Sequence, residues 1–105
     1  ESEKLVKDAK ELERAGCFSI VIEKVPATLA GQVAADLKIP IIGIGAGKDV
    51  DGQVLVLHDM LGITQEFSPR FLRRYHNLSE EIHGAVQAYI KDVKSVDFPN
   101  ANEQY

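Results

Sequence analysis

The chain alternates between stretches whose apolar residues recur every three or four positions and stretches whose apolar residues run on without a break. Leu5, Val6, Ala9, Leu12 and Ala15 form a stripe at helical spacing, which predicts a helix over residues 3–15. Ser2 stands where an N-cap belongs. Gly16 stands where a helix stops, since glycine enters the left-handed conformation at little cost. The period then changes. Phe18-Ser19-Ile20-Val21-Ile22 is nearly continuous and rich in β-branched residues, the pattern of a strand buried on both faces, with Glu23 and Lys24 at its C-terminal end. Val25-Pro26 opens a second predicted helix, because proline's fixed φ and missing N–H are harmless at the first helical position. It runs to about Lys38, with Leu29, Val33 and Leu37 facing inward. Pro40 introduces a second strand, Ile41-Ile42-Gly43-Ile44, which Gly45-Ala46-Gly47 ends.

A polar turn over residues 48–52 leads to a third predicted strand, Val54-Leu55-Val56-Leu57, ending in His58-Asp59. Ser68-Pro69 reads as an N-cap followed by a first-turn proline, opening a short helix with Phe71, Leu72 and Tyr75 on its apolar face. A longer helix starts at Ser79, where Glu80 and Glu81 suit the positive end of the helix dipole. Its stripe is Ile82, Ala85, Val86, Tyr89, Ile90 and Val93. Residues 97–105 lose periodicity and read as a frayed tail.

Strands alternating with helices imply βα units and a mainly parallel sheet. The link between the second and third strands, residues 45–53, is short for a parallel crossover, which usually takes a dozen residues or more. A hairpin is the alternative. The crossover, built on a helical turn near Gly52, is the better reading, because neither strand shows the alternation of a hairpin with one wet face. Three strands this apolar need cover on both faces and neighbours on both edges. Alone, the chain leaves Ile20–Ile22 or Val54–Leu57 as a bare hydrophobic edge. The expectation is a piece of a larger sheet or barrel, completed by residues outside this sequence.

Composition narrows the function. Leu, Ile, Val and Phe make up about 30% of the chain, well above the fraction expected of a disordered segment. The net charge of −4, without Lys/Arg clusters, argues against a nucleic acid or an anionic membrane as partner. One cysteine cannot form an internal disulfide, so a reducing, cytoplasmic setting is the default, with Cys17 as a small buried residue. No apolar run approaches a membrane span, and Glu1-Ser2-Glu3-Lys4 does not open a signal peptide.

Among residues able to carry chemistry, Glu23 leads. In parallel α/β folds ligands bind beyond the carboxyl ends of strands, and a carboxylate there is placed to act as a general base. On position alone a surface glutamate paired with Lys24 or another cation is the commoner outcome. Gly43, Gly45 and Gly47 admit two readings, backbone N–H groups approaching an anion or simply a tight, closely packed turn. They do not fit the dinucleotide fingerprint. His58 and Asp59, as neighbours on a strand, would point to opposite faces and share no ligand. Asp49 and Asp51 mark a turn rather than a calcium loop. His76 and His83, both read as helical, are too isolated to argue a site.

Several stretches taken together resemble one family. They are Leu12-Glu13-Arg14-Ala15-Gly16, Ile20-Val21-Ile22-Glu23-Lys24-Val25-Pro26, Ile39-Pro40-Ile41-Ile42-Gly43-Ile44-Gly45-Ala46-Gly47 and Asp51-Gly52-Gln53-Val54-Leu55-Val56-Leu57-His58-Asp59. With Ser68-Pro69-Arg70-Phe71, Arg74-Tyr75 and Phe98-Pro99, they closely resemble ketopantoate hydroxymethyltransferase of pantothenate biosynthesis. The resemblance implies an α/β fold, the C-terminal part of a (βα)8 TIM barrel of the phosphoenolpyruvate/pyruvate superfamily type. On that reading residues 1–96 are the C-terminal portion of one barrel domain. It implies attack of the enolate of 3-methyl-2-oxobutanoate, a 2-oxo acid, on the one-carbon unit of 5,10-methylenetetrahydrofolate, giving 2-dehydropantoate. Magnesium would stabilise the enolate, with its ligands in the N-terminal part, so no metal ligand is assigned here. Glu23 matches the family's proton acceptor, and with the resemblance its reading turns to catalysis. A homo-oligomer, active only when complete, is implied as well. The competing expectation is a non-catalytic α/β binding or assembly module using the face of the 82–93 helix.

Overall fold

A computed structural model describes residues 1–105. The chain forms two compact units, residues 1–56 with 70–72 and residues 57–69 with 73–105.

The first unit runs α1 (Ser2–Arg14), β1 (Ile20–Glu23), α2 (Ala27–Asp36), β2 (Ile41–Ile44) and β3 (Gly52–Gln53). The sheet order is β1-β2-β3 and both pairings are parallel, so the short link is a crossover and not a hairpin. It contains no helical turn, because Gly52 itself lies in β3. Asp51 makes so short a link workable. Its N–H donates to the Ile41 carbonyl (2.9 Å) and its Oδ2 accepts from the Ile41 N–H (2.8 Å). One residue thus satisfies both polar groups of a fully buried strand start. Asp51→Ala orphans that N–H and is expected to destabilise by about 1–3 kcal/mol, read as a lower urea midpoint at unchanged m-value.

Helix α1 starts at Ser2, with Glu1 at the N-cap, so Ser2 is the first helical residue rather than the cap. No side chain caps that end. Gly16 follows it at φ +99°, the left-handed stop its sequence position predicts, and its N–H donates to the Glu13 carbonyl (3.0 Å). Helix α2 is shorter than predicted at both ends. Pro26 has ψ 134°, too extended for a first helical residue, and serves as the N-cap; proline's fixed φ suits either position. At the other end Leu37 is already extended. There Glu13 Oε1 accepts from the N–H groups of Lys38 (2.6 Å) and Ile39 (3.1 Å), and Lys10 pairs with Asp36 (3.1 Å), tying α1 to the turn before β2.

The core comprises Ala9, Ile22, Ala30, Val33, Leu37, Ile41 and Ala46, between the two helices and one face of the sheet. Side chains alternate across a strand, so the register sets Val21 beside Ile42 and Glu23 beside Ile44 on the opposite face. That face has no helix over it. Val21 is 64% exposed, so β1, which reads as buried on both faces, is covered on only one within this chain.

The third predicted strand is displaced. Pairing ends with the Val54 N–H donating to the Gly43 carbonyl (2.9 Å), because β2 stops at Ile44 and Gly45 turns left-handed at φ +63°. With no partner backbone left, Val54–Val56 carries no regular structure, and Leu57–Met60 forms a single helical turn, α3.

In the second unit α3 is followed by irregular chain and then by α4 (Leu78–Lys94), whose N-cap is Asn77. The short helix expected after Ser68-Pro69 is absent. Proline after serine suits a turn as well as a helix start. The preceding loop is instead gathered by Arg74, whose Nη2 donates to the carbonyls of Thr64, Gln65 and Phe67, each at 3.1 Å. No residue of α4 is buried, and its stripe of Ile82, Val86, Tyr89, Ile90 and Val93 lies 44–56% exposed. Residues 97–105 form no helix or strand, and the Phe98 ring meets Tyr89 edge-on at 5.6 Å. No helix of the chain is long and apolar enough to cross a membrane.

Candidate active site

Three elements converge at the C-terminal ends of β1 and β2: the last residue of β1, the start of α2 and the glycine turn after β2. Glu23 closes β1 on the helix-free face, beside Ile44. Its side chain is exposed, and its carboxylate makes no ion pair and no hydrogen bond within the chain. The pairing with Lys24 that a merely structural glutamate would make is therefore not formed. Lys24 itself sits at φ +53°, a conformation costing a side-chain-bearing residue roughly 1–2 kcal/mol. Its N–H donates to the Ile44 carbonyl (3.0 Å), which holds this strained corner in place. Strain of this kind concentrates at functional sites, and here it turns the chain sharply away directly after Glu23.

Next to this corner lies an open cleft of about 570 Å³, lined by Lys24, Val25, Pro26 and Ala27 on one side and by Gly45, Gly47, Arg70 and Phe71 on the other. Its volume falls within the range of small-molecule sites. The glycines shape its floor. Gly47 has φ +84°, and a Cβ there would stand 2.4 Å from that of Ala27; a Cβ on Gly45 would meet the Phe71 side chain at 2.8 Å. Close backbone approach thus accounts for both glycines, which is the bland reading of the Gly43-Gly45-Gly47 run. Lys24 and Arg70 are exposed and neither side chain has an ion-pair partner.

The other sequence candidates fall elsewhere. His58 and Asp59 are on α3 rather than on a strand, so their side chains do not oppose each other. Asp59 is only 9% exposed and belongs to the second unit. His76 lies outside any helix and pairs with Glu81 (2.8 Å), while His83 is on α4. Cys17 is half-buried rather than buried. Asp49 pairs with Lys48 (3.3 Å), and Asp51 holds the start of β2 as described. No group of three or more His, Cys, Asp or Glu side chains is arranged to hold a metal ion. Residue-by-residue reading of the sequence does not single out Arg70, because a charged residue in an aperiodic turn carries no pattern.

Comparison with known proteins adds to this geometry. The family model described as ketopantoate hydroxymethyltransferase matches residues 1–101. A 3-methyl-2-oxobutanoate hydroxymethyltransferase of Parabacteroides distasonis is 70% identical over all 105 residues of this chain. Proteins of the same name from Porphyromonas gingivalis and Flavobacterium johnsoniae are 67% and 65% identical, again over the whole chain. The chain spans 38–39% of the length of these curated relatives. A family model covering nearly every residue, joined to relatives this similar along the full chain, settles the assignment: the chain belongs to the ketopantoate hydroxymethyltransferase family.

Proposed function

We propose that the complete protein transfers a hydroxymethyl group from 5,10-methylenetetrahydrofolate to 3-methyl-2-oxobutanoate, and that this chain supplies the proton-abstracting end of the site. The observation that carries the reading is the position of Glu23, an unpaired carboxylate at the carboxyl end of a parallel strand on the face no helix covers. In this reading the strands continue into a closed (βα)8 barrel. Val21, Ile42 and Ile44 then face its interior, and Glu23 stands at its rim, where such barrels place their catalytic groups. Sequential strand order with parallel pairing throughout is the arrangement such a barrel requires. Residues 1–96 are part of one domain on this view.

The chemistry proceeds as follows. The Glu23 carboxylate accepts the proton on C3 of the oxo acid, and the electron pair moves into the enolate. Water cleaves both C–N bonds that hold the one-carbon unit to the folate, leaving N–H at each nitrogen and the unit at the formaldehyde level. The enolate carbon attacks that carbonyl carbon, and the alkoxide formed takes up the proton that Glu23 removed. Glu23 is suited to the first step by having no cation to hold it elsewhere. Magnesium, where the complete enzyme binds it, polarises the 2-oxo group. The residues of this chain do not by themselves form a site for it.

The direct test is a hydroxymethyl-transfer assay on the complete protein and on the 105-residue chain alone. Product from the complete protein and none from the chain supports the reading; a complete protein that turns over neither substrate refutes it.

A second reading, an assembly module, is favoured by the exposed stripe of α4. An apolar helical face of this kind is often an interface, here one between copies in a homo-oligomer. Ile90→Asp is then expected to dissociate the complete protein, read as a smaller mass in light scattering.

A further inference from the structure

The cleft beside Glu23 has a chemical character that proton abstraction does not use. Its lining combines two cations, Lys24 and Arg70, with an apolar wall of Val25, Pro26 and Phe71. Both cations lack partners in a chain whose net charge is −4, where acidic residues outnumber basic ones. Neither side chain is held by an ion pair or a hydrogen bond within this chain.

Glu23 does not line this cleft, although the adjacent Lys24 does. A group bound between the two cations is therefore offset from the carbon that Glu23 deprotonates. The carboxylate of a small 2-oxo acid lies only two bonds from that carbon and cannot reach far from it. A longer ligand, with its reacting end toward Glu23, can lay an aromatic middle on the apolar wall and a carboxylate tail between the two cations.

We propose that Arg70 and Lys24 form a carboxylate subsite that takes the glutamyl tail of the folate donor, with Phe71 and Pro26 against its aromatic middle. This rests on the reaction proposed above. Arg70 is the principal residue, because a guanidinium presents paired donors to a carboxylate where an ammonium offers a point charge. The subsite governs donor affinity and leaves the oxo acid untouched.

Calorimetric titration of the complete protein with tetrahydrofolate and with tetrahydropteroate, which lacks the glutamyl tail, tests this without relying on turnover. The unsubstituted protein is expected to bind tetrahydrofolate about tenfold to a hundredfold more tightly, the usual scale of charge-assisted hydrogen bonds. Arg70→Met should abolish that preference and leave tetrahydropteroate affinity unchanged, which also reports an intact fold. Lys24→Met should reduce the preference, and Arg70→Lys should restore part of it. A preference surviving in Arg70→Met, an equal loss for both probes, or a loss confined to 3-methyl-2-oxobutanoate each overturns the proposal. The last outcome would assign the carboxylate subsite to the oxo acid instead. Product formation by the unsubstituted protein judges the reaction itself, and ligand preference judges the subsite.

Discussion

Glu23→Gln in the complete protein is expected to lower kcat by about 10²–10⁴-fold, the range for removing a positioned general base, with KM for the oxo acid changed little. Glutamine keeps the shape and the hydrogen-bonding capacity of the side chain but cannot take a proton at C3. The carboxylate holds no ion pair or hydrogen bond within this chain, so the exchange removes no structural contact seen here. The confirming measurement isolates the first step. In deuterated water without folate, the unsubstituted enzyme should exchange the C3 hydrogen of 3-methyl-2-oxobutanoate, and Glu23→Gln should not. Loss of product with exchange intact would assign Glu23 to a later step. Unchanged turnover would remove it from the mechanism.

The parts of this fold legible in the sequence are those where a local signal and a tertiary partner agree. Helix α1, the left-handed stop at Gly16 and β2 match their patterns because the same residues that set the period also fill the core: Ala9 and Ile41 are buried where the spacing puts them, as is Val33 in the middle of α2. The parallel pairing of β1 with β2 fits their apolar runs, whereas β3 pairs in parallel through Gly52-Gln53, outside the apolar run that predicts the crossover. The misplaced elements have a common cause. Val54–Leu57 is an unbroken apolar run, yet strand formation needs a backbone partner, and β2 turns away at Gly45 before those residues arrive. Ser68-Pro69 carries a helix-start signal that a turn also satisfies, and the three-carbonyl grip of Arg74 on the loop before it has no sequence signature. The exposed faces of β1 and α4 tell the same story from the other side. Their patterns call for cover that 105 residues do not provide, and the relatives are more than twice as long.

The position of Glu23 at the end of a strand is legible in the sequence, while its unpaired state within the chain is not. Only the folded chain shows that Lys24, its sequence neighbour, turns left-handed instead of pairing with it. Arg70 is 47 positions from Glu23 in sequence. Only the fold brings it to the cleft that Lys24 lines.

The largest stability effect is expected at Gly62. Its φ of +70° costs alanine roughly 1 kcal/mol or more relative to glycine, before any contact is considered. A Cβ there would stand 2.1 Å from the His76 carbonyl oxygen, 2.9 Å from the Asn77 Cα and 3.0 Å from the His76 carbonyl carbon. All three are backbone atoms just before α4, and they are held in place. The Gly62 carbonyl accepts from the Ser79 N–H (3.1 Å), the Leu61 carbonyl from the Leu78 N–H (2.9 Å), and Gln65 Nε2 donates to the same Gly62 oxygen (2.6 Å). Relief of the overlap therefore means breaking the hydrogen bonds that seat the start of α4. Gly62→Ala is expected to cost about 3 kcal/mol or more, in the range reserved for backbone clashes and overpacked cores. Gly84→Ala is the internal contrast. It lies within α4 with ordinary φ, and a methyl group added there would meet nothing within 4 Å, so it should gain about 0.5–1 kcal/mol from helix propensity. Urea unfolding of the two variants beside the parent should move the midpoint in opposite directions. A Gly62→Ala midpoint equal to the parent's would mean that α4 does not start against this turn.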